Sequence, residues 1–291
     1  MFFILRCIHF ILRRFVALDQ IIYRKIEILQ RAREDEDIKI EGFLEKNSYF
    51  QKIKVITHAG GIQGLKYLNC MEAFDLYYEN GNRVFEYDVC MYADNNFKMS
   101  HVLNQDSVID GRFHSINIDL VLFYMQRYKD LYIVFDCKFK NKMAFASYLL
   151  EYTSDPEILE RIIIQVFNES EINEIRSVYA FHLLYVCMRE SNYNEIAKIC
   201  CNYKVYAVSI PYVSLKERLG WTVFNECNIC TFVFTINTVS EYQTVCELKH
   251  TGAFSNFLYE KDVCHEINKN YKFAVEQDFA KSNMQDGSHA C

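Results

Sequence analysis

The chain has 291 residues, a net charge of −6 and a composition that is 51% hydrophobic. This length and apolar content suit one large α/β domain, and the presence of only 2 Pro and 9 Gly excludes a collagen-like or linker-rich chain. The modest acidic charge lacks the basic footprint of a nucleic-acid-binding protein, so no nucleic-acid partner is expected.

Residues 1–50 predict an N-terminal helical extension, which begins MFFILRCIHFILRRFVAL. Arginines interrupt this apolar run, so it has neither the continuous apolar region of a signal peptide nor the length of a transmembrane helix. Such a basic amphipathic helix either lies peripherally on an anionic membrane or packs on the following domain or a partner. On a helix, the residues that share its apolar side are Phe3, Cys7, Phe10 and Ile11.

From residue 51 the pattern changes to short β-branched or aromatic runs that alternate with helical stretches. The predicted strands are Ile53–Thr57, Arg83–Val89, Leu131–Cys137, Arg161–Val166, Tyr179–Val186, Lys204–Ile210, Cys230–Thr235 and Gly252–Phe257. The predicted helices between them include Asn69–Glu79, Ile116–Arg127, Ala144–Tyr152, Asn192–Cys201 and Ser240–Lys249. This rhythm predicts a TIM (β/α)8 barrel over residues 51–291 with a C-terminal helical tail, and a doubly wound open sheet is the alternative.

Polar residues stand at the ends of several predicted strands, where a parallel barrel places its active site. In chain order they are His58, Glu86, Asp88, Asp136, Lys138, Gln165, Thr235 and Asn237. Glu86 and Asp88 are two positions apart, so on a strand their carboxylates point to the same side and repel each other unless a cation lies between them. A divalent metal is the usual solution. His58 and His101 bracket this pair and can supply a base and an acid, which predicts metal-assisted phosphodiester chemistry.

Seven segments follow one another along residues 52–258: HAGG, NCMEAFDLYYENGNRVFEYDV, FKMSHV, IVFDCK, IIIQVFNESEINE, FVFTINTVSEYQ and GAFSNFL. In this order they resemble the glycerophosphodiester phosphodiesterases, in the bacterial branch of the phosphatidylinositol phospholipase C-like superfamily. The second segment is the most specific.

The resemblance implies a barrel, a divalent cation (Mg²⁺ or Ca²⁺) and a small or lipid-derived phosphodiester as substrate. It makes Glu86, Asp88 and Asp136 the metal ligands, His58 and His101 the acid–base pair, and Lys138 the group that neutralises the phosphate. At the barrel mouth, Gln165, Thr235 and Asn237 either contact substrate or bond to the backbone.

The chain departs from the family pattern at three positions. The usual His-Arg-Gly is His58-Ala59-Gly60, which removes a phosphate contact, although the bacterial branch often has His-Ala here. The usual His-Asp is His101-Val102, which removes a residue that often supports the second histidine. The third ligand is Asp136 where most members have Glu, and this leaves the substrate class open.

Two alternatives to a soluble glycerophosphodiesterase stay open. One is a phospholipase C- or D-like enzyme that acts on membrane lipid, and the other is a catalytically silent barrel that binds a phosphorylated ligand. The 12 cysteines lack disulfide-framework spacing, which favours reduced thiols in a cytoplasmic protein that is either free or membrane-associated. A zinc site at Cys227 and Cys230 lacks an obvious second pair of ligands, and Trp221 either lines a lipid-facing pocket or packs in the core.

Overall fold

The structure is a computed structural model, and it describes residues 50–62, 64–91, 96–101, 108–109, 111–189, 191–217 and 220–264. The predicted N-terminal extension (apart from residue 50), its amphipathic helix and the predicted C-terminal tail beyond residue 264 lie outside the described residues. The domain boundary at residues 50 and 51 therefore stays a prediction.

Strands and helices alternate along the described chain. In order they are β1 (Val55–His58), α1 (Met71–Glu79), β2 (Val84–Met91), β3 (Phe97–Met99), β4 (Val108–Ile109), β5 (Phe113–His114), α2 (Ile118–Arg127), β6 (Tyr132–Cys137), α3 (Lys142–Tyr152), α4 (Pro156–Leu159), β7 (Ile162–Val166), α5 (Glu169–Arg176), β8 (His182–Val186), α6 (Tyr193–Asn202), β9 (Ala207–Pro211), α7 (Tyr212–Glu217), α8 (Thr222–Glu226), β10 (Cys230–Ile236), α9 (Val239–Glu247) and β11 (Gly252–Ser255).

The eight predicted strands form one closed parallel barrel, in the order β1-β2-β6-β7-β8-β9-β10-β11. Pairing of β1 with both β2 and β11 closes it, so the TIM barrel prediction is confirmed and the open-sheet alternative is wrong. Two predicted strands begin too early, because pairing starts only at His182 on β8 and at Ala207 on β9.

Side chains alternate along each strand, and one set fills the barrel interior. Every barrel strand contributes buried residues to this interior, among them Ile56, Val84, Val134, Ile163, Leu184, Ala207, Phe232 and Phe254. Two positions further along β1, β2, β6 and β7 the interior residues become polar: His58, Glu86, Asp136 and Gln165. An apolar layer therefore supports a polar layer at the carboxyl end of the barrel.

Helices cover the outside of the barrel, and several of them begin at a side chain that caps their first turn. The capping residues of α2, α3, α5, α6 and α9 are Asn117, Asn141, Asn168, Asn192 and Thr238. Each accepts a hydrogen bond from the backbone N–H three residues later, which satisfies a donor that the helix leaves free. Aromatic pairs then join helix to strand; for example, Phe145 of α3 packs edge-on against Phe135 of β6 at 5.1 Å between ring centroids.

Outside the barrel, β3 pairs antiparallel with the end of β2, and β4 pairs with β5. The backbone N–H of Ser100 donates to the Asp88 carbonyl at 2.9 Å, so the segment after β3 turns back toward the barrel. This return brings the next residue, His101, to the carboxyl end of β2. None of the helices in the described ranges combines the length and apolar character needed to cross a membrane.

Candidate functional site

The carboxylates of Glu86, Asp88 and Asp136 form an acidic cluster at the carboxyl end of the barrel. Asp88 and Asp136 are register partners on neighbouring strands, and His58 is the register partner of Glu86. One potential ligand atom from each carboxylate lies within 4.8 Å of the others, and all three residues are buried. The structure therefore brings together the three residues that the sequence predicts as metal ligands.

Two carboxylate oxygens of this cluster lack a conventional partner. Glu86 Oε2 accepts a hydrogen bond from the Ala59 backbone N–H at 2.9 Å. The other Glu86 oxygen, Oε1, is buried and has no hydrogen-bond partner among the described residues. The same is true of Asp136 Oδ1. Burial raises the pKa of Glu86 well above its usual range, and the nearby Asp88 and Asp136 carboxylates add to the effect.

Lys138 places its ammonium group against the same cluster. Its Nζ lies 2.7 Å from Asp88 Oδ1 and also contacts Asp136 Oδ2. Burial would lower the pKa of Lys138, but Asp136 and Asp88 raise it above its ordinary value, so the group is charged. Burial alone would raise the pKa of Asp88. The charge of Lys138 and hydrogen bonds from Lys138 and Asn69 outweigh burial, so the pKa of Asp88 lies below its usual range.

His58 lies on one side of the cluster, and its Nδ1 is 3.0 Å from Oδ1 of Asn256, which directly follows β11. Because an amide oxygen only accepts, Nδ1 carries the proton and Nε2 is left with a free lone pair. Burial is the main influence on the pKa of His58 and lowers it below 6.5, despite the Asn256 hydrogen bond. The ring is therefore neutral at pH 7 and suited to accept a proton.

His101 also lies against the cluster, and its Nδ1 is 3.1 Å from Asp88 Oδ2. The Asn69 side chain donates to the same carboxylate oxygen at 3.1 Å, and its own Oδ1 accepts from the Asp88 backbone N–H at 3.0 Å. Asn69 thus fixes Asp88 from two directions, and Asp88 fixes one nitrogen of His101. The His101 side chain is 40% exposed, so its ring reaches solvent.

The ring of Tyr67 lies against both histidines. It stacks on the His101 ring at 4.4 Å between centroids with 18° between the planes, and it meets the His58 ring edge-on at 5.2 Å. Tyr67 has a φ of 58°, and Ala59 and Asn69 also have positive φ values. Left-handed conformations in residues other than glycine are uncommon and concentrate at functional sites.

The three predicted substrate contacts lie near this cluster in different settings. Gln165 is buried near the end of β7, and Thr235 is half-buried on β10. Asn237 Oδ1 accepts a hydrogen bond from the Asn256 backbone N–H at 3.0 Å. Of the two roles that the sequence left open for Asn237, the structure therefore shows bonding to the backbone, and any substrate contact stays a prediction.

An open cavity of about 280 Å³ adjoins the cluster beside the ends of β6 and β7. Asp136 and Lys138 contribute to its lining, together with Lys142 and Glu171. Lys142 is buried, donates to the Cys137 carbonyl at 3.0 Å and lies 3.7 Å from a Glu171 carboxylate oxygen. Of the three carboxylates of the cluster, the one that lines this cavity is Asp136.

No protein-family model matches the chain, and no curated protein matches it. Solved structures do. An Oleispira antarctica phosphodiesterase in complex with the product sn-glycerol-3-phosphate has a TM-score of 0.59 at 14% identity, over 74% of this chain and 96% of that one. Glycerophosphodiester phosphodiesterases from Parabacteroides distasonis and Thermotoga maritima give TM-scores of 0.55 and 0.52 at 16% and 19% identity. They cover 70% of this chain and 92% and 94% of theirs.

The fold is that of the glycerophosphodiester phosphodiesterases. The resemblance that the sequence indicated is thus confirmed at the level of the fold. At the first departure from the glycerophosphodiester phosphodiesterase pattern, Ala59 contributes its backbone N–H to Glu86. At the second, where Val102 follows His101, the histidine contacts Asp88 and Tyr67.

Sequence reasoning missed Asn69, Asn256 and Tyr67, although all three touch predicted site residues. Asn69 begins the NCMEAF block and Asn256 lies in the GAFSNFL block, so both stood inside the matched segments. Their position directly before a helix or after a strand was the available signal. Tyr67 lies in an irregular loop and carried no such signal.

The pair of Cys227 and Cys230 and the ring of Trp221 lie outside the cluster. Within the described ranges, the carboxylate cluster is the one group of three or more potential metal ligands, so Cys227 and Cys230 form no such group there. Trp221 is buried and packs its ring 4.2 Å from that of His250. Of the two roles considered for Trp221, the structure shows packing.

Proposed function

We propose that this chain is a metal-dependent phosphodiester hydrolase of the glycerophosphodiester phosphodiesterase type. One observation carries the proposal: a cluster of three buried carboxylates lies beside two histidines whose Nδ1 atoms have different partners. His58 faces a neutral amide and His101 faces a carboxylate. An acid–base pair needs one protonated group and one unprotonated group. Different surroundings produce this arrangement, because they shift the pKa values of two similar groups in opposite directions.

The donor set suits a divalent cation. Glu86, Asp88 and Asp136 would hold it, because Glu86 Oε1 and Asp136 Oδ1 are buried acceptors without a partner among the described residues. Buried carboxylates that lack compensation are costly to the folded state. Oxygen-only ligands favour Mg²⁺ or Ca²⁺, which when bound acts as a Lewis acid on the phosphoryl oxygen.

The residues of the chain divide the proton transfers between them. His58, with Nδ1 held by Asn256, accepts at Nε2 the proton of the attacking hydroxyl, from water or from the substrate itself. A protonated His101, with Nδ1 held by Asp88, donates from Nε2 to the leaving alcohol. Such transfers typically contribute about 10²–10⁴-fold to a rate. The Lys138 ammonium lies beside the carboxylates, where it neutralises charge that develops on the phosphate.

The substrate is proposed to be a small or lipid-derived phosphodiester that contains glycerol phosphate. The complex of the O. antarctica phosphodiesterase with sn-glycerol-3-phosphate supports this class. Contacts of Gln165, Thr235 and Asn237 with the substrate are part of the proposal. Peripheral membrane contact through the N-terminal helix and a cytoplasmic location stay predictions.

The decisive experiment measures hydrolysis of sn-glycero-3-phosphocholine, -ethanolamine and -inositol with Mg²⁺, Ca²⁺ or EDTA. We expect cation-dependent release of glycerol 3-phosphate. Glu86→Gln should lower the rate at least about 100-fold, which is the upper end of the effect of removing a group that only supports a metal ligand. Glu79→Gln is the matched control, because it removes the same charge at an exposed position on α1. Absence of turnover on every substrate, with either cation, would overturn the proposal.

Thermal unfolding tests the metal site without reference to activity. Mg²⁺ or Ca²⁺ should raise the Tm of the wild-type protein, because the ligand binds the folded state. In Glu86→Gln this rise should be much smaller. In EDTA, however, Glu86→Gln should melt above the wild type, because it removes a buried carboxyl whose pKa is raised by burial and by its acidic neighbours. An equal cation-induced rise in both proteins would exclude Glu86 as a ligand.

A further inference from the structure

The loop that carries Tyr67 is held by backbone hydrogen bonds at the two residues that follow it. The Leu68 backbone N–H donates to the Gly60 carbonyl at 3.2 Å, and the Asn69 N–H donates to the Ala59 carbonyl at 2.8 Å. These bonds attach the loop to the segment that directly follows β1. They hold Tyr67 at a φ of 58°, a value that a tyrosine rarely adopts. A conformation of this kind persists only where its surroundings determine it.

The ring of Tyr67 supplies a constraint on His101 that a hydrogen bond does not. The bond from Nδ1 to Asp88 fixes the position of one ring atom. A contact at one atom does not by itself define the plane of the imidazole, and that plane sets the direction of Nε2. A second ring stacked at 4.4 Å, with 18° between the planes, fixes the plane of the imidazole. The same tyrosine meets His58 edge-on, so one side chain relates the two imidazoles.

The sequence around His101 makes this constraint consequential. Val102 follows the histidine, and an apolar side chain cannot supply the polar support that the family pattern places there. The His101 side chain is also 40% exposed, so packing encloses it incompletely. A ring contact at its face is therefore an effective way to restrict its orientation.

We propose that Tyr67 is a positioning residue that holds the imidazole of His101 in the orientation for protonating the leaving alcohol. This inference rests on the proposed function, because it gives His101 the role of general acid. The ring provides the effect and the phenolic oxygen does not. Phenylalanine at this position should therefore preserve the positioning of His101, whereas a residue without a ring should not.

The experiment compares Tyr67→Phe, which keeps the ring, with Tyr67→Asn and Tyr67→Gly, which remove it. Asparagine and glycine both tolerate a positive φ, so the backbone of the loop is accommodated in either ring-less variant. Tyr152→Asn is the control, because that tyrosine is exposed at the end of α3. Each variant is assayed on sn-glycero-3-phosphocholine and on bis(4-nitrophenyl) phosphate, whose nitrophenolate leaves without protonation.

We expect Tyr67→Phe and Tyr152→Asn to stay within about twofold of wild-type kcat on both substrates. The ring-less variants should lose about tenfold or more in kcat on the glycerophosphodiester, since general acid catalysis is typically worth about 10²–10⁴-fold. On the nitrophenyl ester they should lose less than about threefold, and KM and the cation-induced rise in Tm should be unchanged. The ratio between substrates reports the acid step, which a general loss of structure would not alter selectively.

Equal losses on both substrates, a change confined to KM, or undiminished kcat in both ring-less variants would overturn the inference while leaving the proposed function intact. If Tyr67→Asn fails to fold, Tyr67→Gly carries the comparison, and loss of activity in Tyr67→Phe also contradicts the role of the ring. A wild-type protein that is inert on both substrates would instead overturn the proposed function, and with it the assignment of His101.

Discussion

His58 and His101 differ in the chemistry of the groups that orient them. The Asn256 amide is neutral and leaves His58 with a pKa lowered by burial, whereas the Asp88 carboxylate presents a negative charge to His101. Each ring directs its second nitrogen away from its partner. The roles of base and acid proposed for the two histidines follow from this difference, and exchanging one orienting group tests it.

Asn256→Asp places a carboxylate against His58 Nδ1. A negative charge at hydrogen-bond distance favours the protonated ring and should raise the pKa of His58 by about 1 unit or more. Because a base must be neutral to act, the rise of kcat/KM with pH should move to higher pH by the same amount. The measurement is the profile of kcat/KM between about pH 5 and pH 8, where an imidazole titrates.

Asn256→Ala is the control for this profile, because it removes the orienting oxygen without adding charge. Asn256→Ala should lower kcat/KM at every pH, and its profile should not move to higher pH. A displacement of the Asn256→Asp profile to lower pH, or an unchanged profile with normal activity, would rule out His58 as the base.

The sequence predicts the carboxylates of the cluster well and its asparagines poorly. Glu86 and Asp88 are two apart on a strand, so the alternation of side chains is sufficient by itself to place them on one side. Asn69 and Asn256 act on Asp88 and His58 from outside the strands. Their contacts depend on how a loop returns to the barrel, which no periodic pattern specifies.

The first turn of α9 supports the site through a chain of hydrogen bonds. Glu241 accepts from the backbone N–H groups of Asn237 at 2.8 Å and Thr238 at 3.1 Å, and it completes a capping box with Thr238. The Asn237 side chain in turn accepts from the Asn256 backbone N–H at 3.0 Å. Since Asn256 orients His58, the start of one helix is coupled to the predicted base.

Glu241→Ala should therefore affect both stability and rate. Loss of a capping interaction costs roughly 1 kcal/mol of stability, and kcat should fall without a change in cation binding. Glu241→Gln should restore both, because glutamine also completes a capping box. Urea unfolding and steady-state kinetics on the three proteins provide the measurement. Retention of full kcat in Glu241→Ala, despite the loss of stability, would show that the chain of hydrogen bonds stops short of His58.

At the scale of elements, all eight barrel strands were predictable, because buried parallel strands are continuous β-branched and aromatic runs. The strand β3 and the pair of β4 and β5 were not predicted as separate elements. They are two or three residues long, which is too short for an alternating pattern to stand out in the sequence. Helix starts were misplaced by one or two residues, because in four of the five predicted helices a capping side chain, and not the apolar stripe, sets where the helix begins.

At the scale of the whole molecule, the two ends of the barrel differ in the polar residues that they contain. The acidic cluster and both histidines lie at the carboxyl end, and the opposite end contains His250. That histidine precedes β11, its Nδ1 lies 2.8 Å from Thr231 Oγ1, and its buried Nε2 has no partner among the described residues. Trp221 covers its ring. Burial lowers the pKa of His250 from 6.5 to about 4, so the folded protein holds this ring neutral.

This pKa makes His250 a source of acid sensitivity. Between pH 6.5 and about pH 4 the unfolded chain protonates this residue while the folded chain does not. Stability should therefore fall as the pH drops through that window, by up to about 1.4 kcal/mol per pH unit from this group. In His250→Gln that contribution should be absent. The measurement is the free energy of unfolding in urea at several pH values, in the presence of EDTA.

The matched control is His114→Gln, which removes an exposed histidine whose Nδ1 lies 2.6 Å from a Glu72 carboxylate oxygen. Its dependence on pH should remain closer to that of the wild type than the dependence of His250→Gln. Identical slopes in the wild type and His250→Gln would mean that His250 is protonated in the folded protein across the window.

The pairing of Asp88 with Asp136 across neighbouring strands has an evolutionary consequence. Parallel strands lie about 4.8 Å apart, so the backbone ladder itself sets the spacing between these carboxylates. The loops that follow the strands contribute little to that spacing. Insertions and exchanges in those loops can therefore alter the cavity beside Lys138 while the acidic cluster keeps its dimensions. A barrel built in this way can diversify the surroundings of its acidic cluster without having to rebuild the cluster.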